Sequence, residues 1–377
     1  MDARVEDTKD YFSNLMTAGE LQQLMPLGRD NAFEVVKLDH LETVACLPGK
    51  TGANIVRVRR RPSALVHDSH YVFKGMPLAA YLKEPKDFKE HYETTLIHEI
   101  ITLCDMVPHP NIMPPPKMLV VFTLDGKNKI CGFLQPAMKN DSVDAQVIRA
   151  NKKQKRLSLS LKAKWCYQMA LAIRHTHRVA KTYHMDFKPG NMLVDDNENI
   201  RLIDWEQSGV SMFTHAPEVV KDQSAKESNT FKNGKRRIIY TPNQQGPRKD
   251  LKWGFPDWNV YPDWKTVCPR AAELSEVFSL GRTMWMLLEQ VAQNANQTEW
   301  TPASGDIPSE WKDMVMSCQK RDPNERPELD EVVKFWEEAW EMAKAEEIKA
   351  KAMATVKKTK DSKEINMTGD ADGSKVA

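Results

Sequence analysis

Residues 184–206 form the most informative segment of the sequence. It opens with His184-Met185-Asp186-Phe187-Lys188-Pro189-Gly190-Asn191, continues through Met192-Leu193-Val194, and closes with Ile203-Asp204-Trp205-Glu206. An aspartate followed two residues later by lysine and five residues later by asparagine, with a second aspartate behind a short apolar run, is typical of phosphoryl transfer.

The chemistry of phosphoryl transfer explains this spacing. The reaction needs a carboxylate that orients the attacking hydroxyl, a cation near the moving group, and two oxygen ligands for magnesium. We therefore assign Asp186 and Lys188 as catalytic residues, and Asn191 and Asp204 as metal ligands. One aspartate alone would more often be a turn residue or a helix cap, whereas all four groups at these intervals indicate a site.

The same segment resembles the protein kinases, whose catalytic loop reads His-Arg-Asp-x-Lys-x-x-Asn and whose metal-binding turn reads Asp-Phe-Gly. The chain departs from that pattern at Met185, Trp205 and Glu206. Two further phrases, at residues 203–209 and 277–285, resemble a group of divergent protein kinases from filamentous fungi.

The resemblance implies a bilobal α+β fold, with a small β-rich N-lobe and a larger α-helical C-lobe. We expect an N-terminal extension at residues 1–35, the N-lobe at 36–138, the C-lobe at 139–345 and a tail at 346–377. A basic insertion at about 219–252 and the tail are both polar, and their composition predicts disorder.

In the N-lobe, residues 33–47 and 54–60 alternate between apolar and polar side chains, which predicts half-buried strands. The family places a glycine-rich hairpin between such strands, so that backbone N–H groups approach the nucleotide phosphates. When the motif is aligned on Val56, which would cap the adenine ring, Gly49 fits the first glycine, but Thr51 and Asn54 occupy the second and third positions. An ordinary hairpin turn explains this segment equally well.

Two charged residues of the N-lobe complete the expected phosphate site. Lys74 ends a third apolar segment and would pair with the α- and β-phosphates. Residues 87–106 predict a helix with Glu99 beside its apolar face, where it could form an ion pair with Lys74.

Adenine is expected to bind where the two lobes join. Strands are predicted at 118–124 and 129–135, and the resemblance then assigns the carbonyl of Pro136 and the N–H of Met138 to the adenine ring. In the same register, Gln135 lies at the entrance to a back pocket, and Leu193 forms the floor of the adenine pocket.

Two helices and several charged residues of the C-lobe have expected structural roles. A helix at 158–180 leads into the catalytic loop, and a terminal helix is predicted from about Leu329 to Lys349. Glu276 replaces the aspartate that usually bonds the catalytic-loop backbone. Arg326 matches the family's closing arginine, with Glu218 as its motif-based partner and Glu273 as its position-based partner, a choice that the sequence leaves open.

Two departures from the family pattern carry functional hypotheses. Because Met185 replaces an arginine that commonly receives an activation-segment phosphate, we expect activity that does not depend on phosphorylation there. Glu206 could assist metal binding, as its counterpart does in small-molecule phosphotransferases, or it could simply face solvent.

Composition narrows the class of protein. A hydrophobic content of 41% is ordinary for a globular chain, and the net charge of +2 provides no bulk attraction for nucleic acid or anionic membrane. Six cysteines without a Cys-x-x-Cys pair argue against structural zinc and against a disulfide framework. With no apolar run of spanning length, we expect a protein of the cytosol or nucleus. We also expect it to be a monomer.

The sequence thus predicts a serine/threonine protein kinase that uses ATP and Mg²⁺ and acts on protein substrates. Lys188 favours this class, because small-molecule phosphotransferases usually carry histidine there. Two alternatives stay open. The Asp204-Trp205-Glu206 phrase and the weak glycine loop favour a small-molecule phosphotransferase of the aminoglycoside or choline kinase type, and the weak glycine loop also suits a catalytically weak pseudokinase scaffold.

Overall fold

The computed structural model describes residues 11, 15–25, 33–47, 53–59, 70–75, 86–207, 209–220, 223–232, 235–242, 261–267, 269–292 and 298–369. A six-stranded sheet with one long helix forms the N-terminal part, and the C-terminal part consists mainly of helices. The bilobal α+β architecture expected from the sequence is therefore confirmed.

Six strands form the sheet of the N-lobe. They are β1 (Glu34–Lys37), β2 (Leu41–Cys46), β3 (Ala53–Val58), β4 (Tyr71–Gly75), β5 (Met118–Leu124) and β6 (Lys127–Pro136). Their order is β1-β5-β6-β4-β3-β2, with β1 parallel to β5 and the other pairs antiparallel. The strand predicted over 33–47 is divided by a 3-10 turn at Leu38–His40, which sends its two halves to opposite edges of the sheet.

Successive side chains along each strand point to opposite faces of the sheet, and both faces carry apolar residues. The outer face carries Val56, Tyr71 and Leu134, which pack with Tyr11 and Leu15 of the N-terminal segment. The inner face packs against helix α2 (Lys86–Asp105). Side chains directly opposite each other on paired strands lie on the same face, so the strand register decides which residues look towards α2.

The N-terminal segment is part of the packing of this lobe. Helix α1 (Ala18–Leu24) begins at Thr17, whose side chain accepts a hydrogen bond from the N–H of Glu20, while the Glu20 carboxylate accepts one from Thr17. Leu21 and Met25 are buried in the cluster that contains Leu96, Ile97, Ile100 and Cys104 of α2. Helix α1 thus supports the outer side of α2.

The C-lobe is built around one large apolar core. Its helices are α3 (Val143–Lys152), α4 (Leu159–Arg178), α5 (Pro217–Val220), α6 (Tyr261–Val267), α7 (Pro269–Glu289), α8 (Ser309–Cys318) and α9 (Leu329–Gly369), and a small hairpin joins β7 (Met192–Val194) to β8 (Ile200–Leu202). Five tryptophans lie in the core, at 165, 205, 285, 311 and 336. Gly281 of α7 allows close packing on α8, because a Cβ there would lie 2.6 Å from that of Cys318.

The basic insertion is ordered where the structure describes it. Strands β9 (Gln223–Lys232) and β10 (Lys235–Pro242) pair as an antiparallel hairpin, whereas the composition predicts disorder over these residues. The two residues between them are Asn233-Gly234, the pair that two-residue hairpin loops favour. That signal was present in the sequence and outweighs the polar composition.

The predicted disordered tail is also largely helical. Helix α9 continues to Gly369, beyond the end expected at Lys349, while residues 370–377 lie outside the described chain. Strong helix formers dominate from residue 343 to 354. An i,i+4 ion pair joins Glu347 to Lys351, with an N–O distance of 2.6 Å.

Two further sequence expectations concern membrane and thiols. Within the described residues, every helix is too short or too polar to span a bilayer. The five cysteines described by the structure are all free thiols.

Candidate active site

The ammonium group of Lys74 lies where the two lobes meet. Its Nζ lies 2.7 Å from Glu99 Oε2, 2.5 Å from Asp204 Oδ1 and 2.8 Å from Glu206 Oε1. One lysine from the sheet therefore joins a carboxylate of α2 to two carboxylates of the C-lobe. The predicted Lys74–Glu99 ion pair is formed.

The electrostatics of this cluster are set by burial and by its carboxylates. Burial alone would lower the pKa of Lys74, but the carboxylates of Asp204, Glu99 and Glu206 outweigh it and hold the pKa well above the usual value. Burial raises the pKa of Glu99 to about 7, although Lys74 opposes the shift. Carboxylate oxygens of Glu99, Asp204 and Glu206 lie within 4.8 Å of one another, a set of hard oxygen donors that fits a divalent cation.

The catalytic loop gathers the other predicted groups. Lys188 Nζ lies 2.5 Å from Asp186 Oδ2, and Asn191 Nδ2 donates to the same oxygen and to the Asp186 carbonyl, each at 2.9 Å. Since the Asn191 nitrogen is bound in this way, its amide oxygen is the atom that suits a cation. The backbone of Asn191 also accepts from the N–H of Ile203 at 2.9 Å, which places the loop beside Asp204.

Asp186 lies in a low-dielectric setting. Burial is the main cause that raises the pKa of its carboxyl, Asp204 adds to the shift, and Lys188 opposes it. A carboxylate with a raised pKa accepts a proton more readily than a solvated one. The position beside Lys188 and Asn191 therefore suits Asp186 to accept the proton of an attacking hydroxyl.

Glu276 of α7 supports the loop from below. Its Oε1 accepts from the N–H of His184 at 2.8 Å and from that of Met185 at 2.5 Å, while Oε2 lies 2.6 Å from His177 Nε2. Burial alone would raise the pKa of Glu276, but these hydrogen bonds and charges lower it. The extra methylene of Glu276 therefore still reaches the loop, as expected.

The turn that carries Asp204 is held in a left-handed backbone conformation. Asp204 has φ +74°, and the next residue, Trp205, is fully buried with its ring 4.7 Å from that of His184. The N–H of Trp205 donates to Glu99 Oε1 at 3.2 Å. Glu99 thus contacts the lysine of the sheet and the backbone of the turn at once.

Comparison with known proteins agrees with this arrangement. Residues 74–228 match the family model described as "Protein kinase domain". Over these residues the chain is similar to the protein kinases. The matched residues include Lys74, Glu99, the catalytic loop and Asp204, so the resemblance to the eukaryotic-type protein kinases is confirmed.

A curated relative points the same way. Over 143 residues the chain is 28% identical to "Hormonally up-regulated neu tumor-associated kinase homolog A" of Xenopus laevis, a stretch that covers 38% of this chain and 19% of the relative. The chain thus spans about a fifth of the length of that relative.

The observed strand register does not fit one of the predicted nucleotide contacts. Val56 pairs with Tyr71, and Ile55 pairs with Val72, so Val56 lies on the outer face, whereas Ile55 and Val72 share the inner face with Lys74. A shift of one residue moves a side chain to the opposite face of a strand. Gly49 was assigned from the same alignment, so its assignment depends on a register that the structure does not have. Gly49 itself lies outside the described residues.

The residues predicted for adenine lie along the connection between the lobes. Pro136 ends β6, and Met138 follows two residues later, with the N–H of Ala137 between them bonded to the His70 carbonyl at 3.1 Å. Gln135 pairs with Val72 and therefore lies on the inner face. Leu193 lies half-buried on β7. Their contacts with a nucleotide stay predictions.

The partner of Arg326, which the sequence left open, is Glu218. The guanidinium binds it through two hydrogen bonds, of 2.5 and 2.9 Å, and both side chains are buried. Glu273 instead binds Arg178 and Arg270. The motif-based choice was the right one.

Two residues that follow shortly after Asp204 in the sequence extend the site beyond the predicted set. Glu206 was considered only as a metal helper or a solvent-facing residue, and the structure places it in contact with Lys74. Gln207 was missed altogether: its side chain is buried and forms hydrogen bonds in both lobes. No spacing rule points to Gln207, because its partners lie 24 and 109 residues away along the chain.

Proposed function

We propose that this protein is a serine/threonine protein kinase that transfers the γ-phosphoryl group of ATP to hydroxyl groups of protein substrates, with Mg²⁺ as its metal. The observation that carries the proposal is the ion pair of Lys74 with both Glu99 and Asp204, which forms across the cleft from the Asp186–Lys188 pair. A protein kinase domain uses ATP and a divalent metal in general. Mg²⁺ is the hard cation that kinase sites of this oxygen-rich type favour.

The protein groups have distinct roles in this proposal. Asp186 orients the acceptor hydroxyl and receives its proton, and Lys188, 2.5 Å away, brings positive charge to the same place. Lys74 binds phosphate oxygens and is itself oriented by Glu99. Asp204, Asn191 and Glu206 would hold the divalent cation, which supplies electrostatic stabilisation of the phosphates when bound.

The serine/threonine class rests on Lys188. Tyrosine kinases usually carry a different residue pattern at this point of the loop, and small-molecule phosphotransferases usually carry histidine. The contact of Lys188 with the catalytic carboxylate is the geometry that such a lysine needs.

We also propose that activity does not depend on phosphorylation of the activation segment. Met185 occupies the position of the usual phosphate-binding arginine, and it is buried in one apolar cluster with Ala216 and Val219, which follow Asp204 in the activation segment. An apolar contact therefore holds the segment where an arginine–phosphate pair would otherwise do so. Treatment with a phosphatase should leave turnover unchanged, and loss of most of the turnover would contradict this part of the proposal.

A small-molecule phosphotransferase is the second candidate. The observation in its favour is the contact of Glu206 with Lys74, since the Asp-Trp-Glu phrase is common in that class. The Glu218–Arg326 pair and the lysine at 188 favour a protein kinase instead.

The deciding experiment incubates the purified chain with γ-labelled ATP and Mg²⁺, against a serine/threonine peptide library and against a panel of small alcohols and aminoglycosides. We expect label on peptides, and at least a thousandfold loss of transfer in Asp186→Asn, as on removal of a residue that acts in the transition state. Label on small alcohols alone would favour the second candidate. Absence of any transfer would leave only the scaffold reading.

We place this activity in the cytosol or nucleus. The proposal is supported by the free thiols of the five described cysteines, as expected in a reducing compartment. Imaging of a fluorescent fusion would test it, and a secretory location would contradict it.

A further inference from the structure

The side chain of Gln207 connects three separate elements around the cleft. Its Nε2 donates to the carbonyl of Tyr183 and to Thr182 Oγ1, the latter at 3.1 Å. Its Oε1 lies 2.8 Å from His98 Nε2 of α2, and since an amide oxygen only accepts, the imidazole donates. Gln207 is only 5% exposed, and its backbone adopts φ +52°.

These three elements carry the catalytic groups. His98 directly precedes Glu99, which contacts Lys74. Tyr183 directly precedes His184, which opens the catalytic loop, and Gln207 itself directly follows Glu206 of the carboxylate cluster. The Gln207 side chain therefore contacts one residue next to Glu99 and one residue next to the catalytic loop, and Gln207 itself lies next to the carboxylate cluster.

The contact with His98 constrains the rotation of α2. Successive residues of a helix point about 100° apart, so His98 and Glu99 hold the helix at two different angles. Glu99 binds Lys74 at 2.7 Å and the N–H of Trp205 at 3.2 Å, while His98 binds Gln207. A roll of α2 that moved Glu99 away from Lys74 would also break the His98–Gln207 bond.

The chemistry of the site requires an amide at 207. Two acceptors, the Tyr183 carbonyl and the Thr182 hydroxyl oxygen, face Nε2, and one donor, the imidazole N–H, faces Oε1. Glutamate would direct a carboxylate at a carbonyl, and leucine would leave all three groups without this partner.

We infer that Gln207 is a positioning residue that couples the inward position of α2 to the catalytic loop, so that Glu99 and Asp186 are aligned together. This inference rests on the proposed kinase activity for its catalytic consequence. The coupling itself can be measured without phosphoryl transfer.

The test uses the full-length protein and the variants Gln207→Leu, His98→Leu, His98→Gln and the double leucine variant. Hydrogen exchange of the α2 amides, affinity for Mg·ATP, and kcat and KM for peptide phosphorylation are measured for each. We expect Gln207→Leu and His98→Leu each to speed exchange in α2 at least tenfold and to lower kcat/KM at least tenfold. The double variant should be no worse than the worse single variant, because both remove one coupling.

Two comparisons separate coupling from plain structural loss. His98→Gln keeps an N–H donor near the position of Nε2 and should restore most of the activity. Gln168→Leu is the matched control, since Gln168 is 8% exposed and its amide bonds Asn199 at 2.8 Å and the N–H of Ile200 at 2.9 Å, away from α2. It should lower the unfolding midpoint without changing exchange in α2.

The inference is overturned if Gln207→Leu behaves like Gln168→Leu in exchange and affinity, or if the effects of the two leucine substitutions add. If Gln207→Leu fails to fold, the two His98 variants decide the same question from the other side of the bond. A wild-type protein that transfers no phosphoryl group would refute the proposed function, whereas exchange in α2 would still decide the coupling.

Discussion

At the scale of single residues, Glu206 changes the charge of the site most directly. The Asp-Phe-Gly pattern has glycine here, whereas Glu206 adds a third carboxylate around the Lys74 ammonium. Because hard carboxylate oxygens attract Mg²⁺, we expect Glu206→Ala to weaken the apparent Mg²⁺ affinity at least about tenfold. The Mg²⁺ dependence of the initial rate at saturating ATP measures this.

The control for this prediction is Glu310→Ala, which removes an exposed glutamate of α8. It should leave the Mg²⁺ dependence unchanged. An apparent affinity in Glu206→Ala equal to that of the wild type would mean that Glu206 contributes only its ion pair with Lys74.

Lys162 shows how one buried charge sets the pH dependence of stability. Its side chain is fully buried, with Nζ 3.1 Å from the Leu288 carbonyl and 3.3 Å from Asp306. Burial lowers the pKa of Lys162 to about 8, Arg156 adds to the shift, and Asp306 opposes it. In the unfolded chain the pKa lies near 10.5.

Between pH 8 and 10.5, the unfolded state therefore binds more protons than the folded state at this residue, and the free energy of unfolding rises with pH. Relative to Lys162→Met, the wild type should gain up to about 3 kcal/mol across this window. Urea denaturation of both proteins at a series of pH values measures the difference. Between about pH 5 and pH 7 the difference should be constant, which is the internal control, and parallel curves up to pH 10.5 would contradict the prediction.

At the scale of elements, helix α1 is expected to stabilise α2. Leu21 is fully buried in the cluster that includes Ile97 and Ile100, so Leu21→Ala should cost about 2–5 kcal/mol of unfolding free energy. Leu24, three residues on in the same helix, is 54% exposed and provides the matched control. Leu24→Ala should change the free energy by less than about 0.5 kcal/mol. Equal losses in the two variants would show that α1 does not pack on α2 in solution.

Which elements could be predicted depends on whether their signal is local. The helix with Glu99 was predicted at 87–106 and lies at Lys86–Asp105, because its apolar residues recur with the helical period. The face of β3 was not predictable from alternation, since Val56 and Ile55 are both apolar and only the pairing with β4 decides which of them lies beside Lys74. The hairpin formed by β9 and β10 was missed because the polar composition was weighed above the Asn233-Gly234 pair in the sequence between the two strands.

Across the whole molecule, the catalytic residues could be predicted from the sequence because most of them lie within one short loop and the turn that follows. Asp186, Lys188 and Asn191 are fixed relative to each other by a few residues of backbone, so their spacing alone implies their geometry. Contacts that cross the cleft have no such signal. Gln207 and His98 meet only after both lobes have folded, because they lie 109 residues apart along the chain.

The long terminal helix allows a test of how much of the chain the core requires. The buried residues of α9 end at Ala343, after Trp336 and Ala339, and the side chains from 344 to 353 are exposed or half-exposed. A chain that ends at Met353 should therefore have a free energy of unfolding within about 1 kcal/mol of that of the full chain, because it keeps every described core contact.

A chain that ends at Phe335 gives the opposite expectation. It loses Trp336, whose ring packs 5.3 Å from that of Trp311, and loss of one such buried tryptophan costs about 3–5 kcal/mol. The free energy of unfolding of a protein is typically about 5–15 kcal/mol in total, so the further loss of Ala339 and Ala343 should abolish cooperative unfolding. Urea denaturation followed by tryptophan fluorescence compares the three chains. A loss of several kcal/mol already at Met353 would mean that the distal part of α9 packs against the body of the protein, and that the core extends beyond the residues that bury Trp336.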